Sequence, residues 1–138
     1  MGKLIESGLR ALILFGAAIS CAAATKTWVP TAGGVWTTSG NWSPSGAPQA
    51  GDAVTINSNQ SGDITGVPSI TLSNLVVNGN CLLAAASSGN TITVTNALSV
   101  ATGKLLTLGA TSARLVFRLD GTGTLSGSLA FDAGTIVR

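Results

Sequence analysis

The sequence has no histidine and no tyrosine, and only 9% of its 138 residues are charged. Beyond Ala24 it also has no glutamate and no methionine, so few side chains could transfer protons near neutral pH. The same stretch carries five basic and four acidic side chains, a charge too balanced for nucleic-acid binding. These absences predict a protein that is not an enzyme, requires no cofactor and has no nucleic-acid partner.

The four aspartates beyond Ala24 are scattered, and each lies beside a glycine or in a turn. They are Asp52, Asp63, Asp120 and Asp132. Polysaccharide hydrolases and lyases need clustered carboxylates or a base beside them, which this spacing does not supply. The sequence also has no Gly-Asp-x-Asp calcium repeat and no His/Cys cluster. We therefore predict no catalytic site and no metal site.

The only cysteines are Cys21 and Cys81, and they lie in different parts of the sequence. If Cys21 is removed with a leader, no disulfide can form within one molecule. Cys81 stands in an apolar context and is expected to be a small buried hydrophobic side chain. The alternative, a nucleophile, lacks a histidine to activate it.

The segment Met1–Ala24 has the pattern of a signal peptide. Lys3 and Arg10 form a basic start, and the apolar run 11–24 is shorter than the ~20 residues that cross a bilayer. Ala22–Ala24 supplies small residues for cleavage before Thr25. We expect export to the extracellular space or to an outer-membrane-associated cell surface, with no membrane span in the mature chain. The alternatives are an uncleaved anchor and a lipoprotein through Cys21, because Ala18–Cys21 resembles a lipobox.

Two zones follow the leader. Residues 25–52 contain all three tryptophans and three of the four prolines, and 53–138 alternates apolar residues with Thr and Ser between Gly and Asn turns. The triplets Val54–Ile56, Leu75–Val77 and Leu98–Val100 begin 21 and 23 positions apart. Such a period without helices predicts an all-β parallel β-helix (a β-solenoid) over 53–138, incomplete at its end, behind a cap segment over 25–52. An antiparallel β-sandwich is the alternative.

The tryptophan-rich zone carries a family resemblance. The relevant segments are Trp28–Pro30, Gly33–Trp36, Gly40–Pro44, Gly46–Pro48, Gly51–Ile56 and, further on, the phrase Asn96–Leu105. Together they resemble the opening of bacterial autotransporter-type, adhesin-like surface proteins, over most of residues 28–108. The resemblance implies a right-handed parallel β-helix at a cell surface. It also implies surface glycans or the surface proteins of a host or neighbouring cell as partners.

The three tryptophans have two interpretations. The first turn of a solenoid exposes its apolar interior, and Trp28, Trp36 and Trp42 could cover it, since tryptophan is mostly buried in proteins. Exposed indole rings could instead stack on sugars, which would make the same three residues a carbohydrate-binding site. We favour the cap. Asp52 is expected to accept backbone hydrogen bonds at the turn before Val54.

The sequence therefore predicts an exported structural or adhesive module of the cell surface, with a carbohydrate-binding module as the alternative. Ice binding is a further alternative, because Thr91, Thr93 and Thr95 share one strand face, as do Thr122 and Thr124. The terminal segment Ala133–Arg138 is an apolar strand after a turn. It is expected to leave the last rung of the solenoid open for end-to-end self-association.

Overall fold

The computed structural model describes residues 22–109, 113–131 and 136–137, whose strands form a parallel β-solenoid of about four turns. The predicted fold class is confirmed, and the chain does not form the antiparallel sandwich. A short 3-10 turn spans Ser39–Asn41. The strands are β1 (Thr25–Trp28), β2 (Gly34–Val35), β3 (Trp42–Ser43), β4 (Ala53–Ile56), β5 (Ile64–Val67), β6 (Ile70–Val77), β7 (Cys81–Ala85), β8 (Asn90–Val100), β9 (Leu105–Leu108), β10 (Leu115–Leu119), β11 (Thr122–Leu125), β12 (Ser128–Phe131) and β13 (Ile136–Val137).

The strands form two sheets that enclose one narrow core. The larger sheet has the order β13-β10-β8-β6-β4-β1-β3, with β11 also paired to β8, and the smaller has the order β12-β9-β7-β5-β2. From β4 to β10 successive strands alternate between the sheets, so each coil of this part of the chain adds one strand to both sheets. Every described pairing is parallel except β1 with β3. Parallel pairing of this kind requires a long return connection, which the opposite sheet provides.

The spacing of the three triplets in the sequence matches the register of the strands in the larger sheet. Val54 pairs with Leu75, and Leu75 pairs with Leu98, as the spacing of the three triplets predicts. All three side chains point inward and are at most 1% exposed. Because side chains alternate across a strand, the residues between them face outward. One of the two extra residues of the later rung enters at a register shift between Leu72 and Asn74.

Asparagine side chains stacked from rung to rung link successive coils at two positions. Asn78 donates its side-chain N–H to Asn57 Oδ1, and Asn96 donates likewise to Asn74 Oδ1, each at 2.9 Å. On the rung after Asn96, a Cβ on Gly121 would collide with the backbone of Asn96, so only glycine allows that rung to stack so closely. These contacts between uncharged groups hold successive turns of the solenoid together.

Several predictions from the sequence concern residues outside this description. They include most of the leader, with Cys21 and the lipobox, and the turn at 133–134. In the terminal segment the structure describes only β13 (Ile136–Val137), which pairs in parallel with β10. Within the described residues no helix has the length and apolarity needed to cross a membrane.

Candidate functional site at the tryptophan cap

The first rung of the solenoid is covered by residues 36–52, between β2 and β4. This stretch is shorter than the predicted cap over 25–52, and from here on the name cap segment refers to residues 36–52 alone. The segment folds back so that β3 runs antiparallel along the outer edge of β1, with Trp28 opposite Trp42. An unpaired edge strand would offer a row of free N–H and C=O groups to other chains. β3 pairs with residues 27 and 28 of β1, and it covers the N-terminal edge of the larger sheet at these two positions.

The three tryptophans form one buried cluster, in which Trp36 and Trp42 of the cap segment pack with Trp28 of β1. Trp28, Trp36 and Trp42 are 3%, 0% and 2% exposed. Trp42 packs edge-on against both neighbours, with ring centroids 5.0 Å from Trp28 and 4.7 Å from Trp36. Its indole N–H donates to the backbone oxygen of Trp36 at 2.6 Å. The rings are closed to a stacking sugar in this conformation, and their burial favours the cap over the carbohydrate platform.

Gln60 ties the cluster to the second rung. Its side-chain oxygen accepts hydrogen bonds from the Trp28 indole N–H at 3.1 Å and from the Gly33 backbone N–H at 3.2 Å. Its amide group donates to Ser58 O at 2.9 Å. One side chain therefore satisfies two donors that the cap would otherwise leave unpaired. Gln60 could not be identified from the sequence, because no local pattern links it to a partner so distant along the chain.

Lys26 gives the first rung a charged end. It pairs with Val54 in the register and so occupies the first position of an inward-facing column. Its ammonium group donates to the backbone oxygens of Pro44 and Ser45, at 3.1 and 3.2 Å. An inward-facing lysine can be accommodated at the end of the stack because its ammonium group reaches carbonyl oxygens at the surface.

Asp52 fixes the other end of the cap segment. It is 3% exposed, and its two carboxylate oxygens accept the backbone N–H groups of Ala24 and Gln49, each at 2.8 Å. The predicted role of Asp52 as an acceptor at the turn before Val54 is confirmed. By holding Gln49, Asp52 also fixes the loop that forms one wall of the groove described next.

A groove of about 550 Å³ runs between the cap segment and the outer face of β6 and β8. Thr71 and Thr93 lie side by side along it as register partners. Ser69 Oγ accepts the Thr91 backbone N–H at 3.1 Å. The lining carries no charged residue and combines hydroxyl groups with small apolar side chains: Trp36, Thr37, Ala47, Pro48, Gln49, Ala50, Pro68, Ser69, Ile70, Thr71, Thr91 and Thr93. We call this surface the cap groove.

One polar atom in this region stands out. The indole N–H of Trp36 is buried and has no hydrogen-bond partner among the described residues, although Trp36 itself lines the cap groove. A buried donor without a partner costs roughly 1–3 kcal/mol. Thr91 and Thr93 belong to the threonine pattern seen in the sequence, whereas their neighbours in the cap segment carry no such pattern. The groove joins segments that lie far apart in the sequence, and no spacing within either segment predicts their contact.

The described residues provide little reactive chemistry. They contain no group of three or more His, Cys, Asp or Glu side chains close enough to hold a metal ion. Burial raises the pKa of the Cys81 thiol to about 12, which keeps it protonated and poorly nucleophilic. Asp120 is engaged with Arg118 at 2.6 Å on the surface, where such pairs contribute little.

Comparison with known proteins places the chain in a family. Residues 27–127 match a family described as a domain of unknown function, DUF8693. The chain belongs to the DUF8693 family. The DUF8693 match includes the cap segment together with the rungs up to β11, so the cap and the solenoid belong to the same family unit. Neither a curated protein nor a solved structure gives a significant match.

The register also bears on the threonine rows considered for ice binding. One outward row runs across five strands as Thr27, Thr55, Val76, Ser99 and Thr124. Val76 interrupts the hydroxyl groups, and Thr122 pairs with Ala97 in the neighbouring row. A regular two-threonine array does not continue from rung to rung, so the register does not favour ice binding.

Proposed function

We propose that this DUF8693 protein is an exported, non-catalytic module of the cell surface, with a structural or adhesive role. The observation that carries the proposal is the outward row of short, uncharged side chains at Thr27, Thr55, Val76, Ser99 and Thr124. Parallel rungs repeat such a row at the strand spacing of about 4.8 Å. A rigid, uncharged and repetitive face suits a stalk or a contact surface better than a reaction centre.

The sequence features support the same proposal. The leader favours export, and the tryptophan-rich opening resembles that of adhesin-like β-helix proteins. The absence of histidine from the chain and the exposed, separate positions of Asp63 and Asp120 favour a non-catalytic role. A polysaccharide panel tests this part directly. We expect no turnover, and turnover abolished by Asp120→Asn would overturn the non-catalytic part of the proposal.

Carbohydrate binding is a second candidate, now at the cap groove instead of the indole faces. The observation that favours it is a groove lining that combines hydroxyl and amide groups with apolar side chains and carries no charge. Neutral sugars offer hydroxyl groups to such donors and acceptors and apolar ring faces to small side chains. The groove volume of about 550 Å³ lies in the range of small-molecule sites.

A matched pair of variants separates the two candidates. Thr93→Arg places a long charged side chain in the cap groove, whereas Thr102→Arg places the same side chain in an exposed turn outside both the groove and the outward row. If the groove binds sugar, a glycan array should show binding by the parent and by Thr102→Arg, and none by Thr93→Arg. If all three bind alike, the sugar site is not in the groove, and no binding by any of them leaves the structural role as the better proposal.

A further inference from the structure

Asp52 is a buried carboxylate for which the described residues supply no cation. It is 3% exposed, and no lysine or arginine of the described ranges forms an ion pair with it. Its contacts are the backbone amides of Ala24 and Gln49, one on each carboxylate oxygen. Taking a carboxylate out of water is costly unless an opposite charge is close.

Ala24 is also where the folded contacts of the described chain begin. Its backbone N–H reaches Asp52 Oδ1 at 2.8 Å, and its carbonyl oxygen accepts the Ala53 N–H at 2.8 Å. Ala24 is half-buried, whereas Ala22 and Ala23 are exposed and belong to no strand. The fold thus uses both backbone groups of Ala24 but places the two alanines before it in solvent.

We infer that the exported chain begins at Ala24, through cleavage of the Ala23–Ala24 bond, and that its new α-ammonium group is the cation of Asp52. The inference rests on the export proposed above. Hydrolysis of this amide adds one water, leaves a carboxylate on Ala23 and gives Ala24 an ammonium group at the position of its former N–H. The existing hydrogen bond, in which only the acceptor is charged, then becomes an ion pair between an ammonium group and a carboxylate.

Cleavage one residue later, before Thr25, would have the opposite effect on the fold. It would remove the Ala24 N–H from Asp52 Oδ1 and the Ala24 carbonyl from the Ala53 N–H. A buried carboxylate oxygen and the first amide of β4 would both lose a partner, and each loss is destabilising. Both positions satisfy the small-residue rule for cleavage, so the folded structure, not the leader pattern, distinguishes them.

Intact-mass measurement of the exported protein is the primary test. The full-length gene is expressed with its leader, and the extracellular or surface fraction is analysed. A mass that begins at Ala24 supports the inference. A mass that begins at Thr25 or Ala23, or a lipid-modified Cys21, overturns the inference while export stands. Retention of the chain from Met1 inside the cell overturns export itself, so the two failures are distinguishable.

Two leader variants sharpen the result. Small residues are needed immediately before the cut and two positions further upstream, so cleavage before Ala24 requires a small residue at position 21 and cleavage before Thr25 requires one at 22. Cys21→Leu should block or shift the cut, and Ala22→Leu should leave the cleavage position unchanged. The reverse pattern would show that the chain begins at Thr25.

Thermal melting tests the role of the new charge. The exported Asp52→Asn variant should melt at least about 5 °C below the parent, since it leaves the ammonium group without its counter-charge. Asp63→Asn is the matched control, because Asp63 is exposed, and its Tm should remain unchanged. Any chain that Cys21→Leu exports with a different start should also melt below the parent. Equal melting of that chain and the parent would contradict the pairing of Ala24 with Asp52.

Discussion

Trp28 and Trp42 are direct partners across the antiparallel β1–β3 pair, and their rings meet at 78° with centroids 5.0 Å apart. The contact joins the first strand of the parallel stack to the only described strand that runs against it. Such edge-to-face pairs stabilise beyond the area that they bury. The same contact therefore covers the apolar end of the core and anchors the strand that protects the sheet edge.

Removal of a ring from the tryptophan cluster should open this end. We expect Trp42→Ala to lower the free energy of unfolding by about 3–5 kcal/mol, the usual loss for a large buried aromatic residue. It also removes the donor to the Trp36 backbone oxygen. Chemical denaturation monitored by circular dichroism measures the change.

The control is Val35→Ala, whose side chain is 46% exposed beside the same cluster. It should change the unfolding free energy by less than about 0.5 kcal/mol, as surface substitutions usually do. Equal effects of the two substitutions would show that the cluster does not cap the core.

The alternation of faces on β6 gives a second prediction. Leu75 is fully buried between Val54 and Leu98, whereas Val76 points outward between Thr55 and Ser99. Leu75→Ala should cost about 2–5 kcal/mol through lost burial and the cavity left behind. Val76→Ala should cost clearly less, because the outward methyl groups leave no internal cavity. Denaturant melts that reverse this order would place β6 in another register.

The stack of rungs could be predicted from the sequence because its cause is local. A short strand with an apolar residue at every second position must bury one face, and the regular return of such strands places those faces above one another. The segment Thr91–Thr95 alternates in the same way, and it lies in β8. The capping interpretation of the tryptophans rests on the same physical reasoning, since an open first rung must be covered.

The contacts of the cap could not be predicted in this way. Gln60 meets Trp28, and Lys26 reaches Pro44 and Ser45, through chain reversals that no hydrophobic period encodes. The cap groove depends on how the Ala47–Ala50 loop lies against β6, and Asp52 determines that position by holding Gln49. Long-range hydrogen bonds of single polar side chains leave no repeating signal in the sequence.

Cys81 provides a prediction about pH. Burial raises the pKa of its thiol from 9.0 to about 12. Since the folded state holds this proton more tightly than the unfolded state, its contribution to stability is complete below pH 9 and is lost as the pH rises towards 12. In a Cys21→Ser background, a thiol reagent at about pH 8 should react slowly with the folded chain and quickly in denaturant. Fast reaction of the folded chain would contradict the burial of Cys81.

The last described rungs give a prediction about self-association. Leu125 and Phe131, on β11 and β12, are 49% and 43% exposed. If the protein associates end to end through this region, Leu125→Lys with Phe131→Lys should keep it monomeric in light scattering across a concentration series. Val29→Lys, at the capped end and 55% exposed in the parent, should leave association unchanged. A parent that stays monomeric at all concentrations would refute the proposed association.

Labelling of intact cells with an antibody or an impermeant biotin reagent tests the proposed surface role most directly. The chain is expressed with its own leader, and intact cells are compared with permeabilised ones, with a cytoplasmic protein as control. Our account predicts labelling of intact cells, with the mature chain in the cell-surface or extracellular fraction. Labelling only after permeabilisation, on a chain that still begins at Met1, would contradict it.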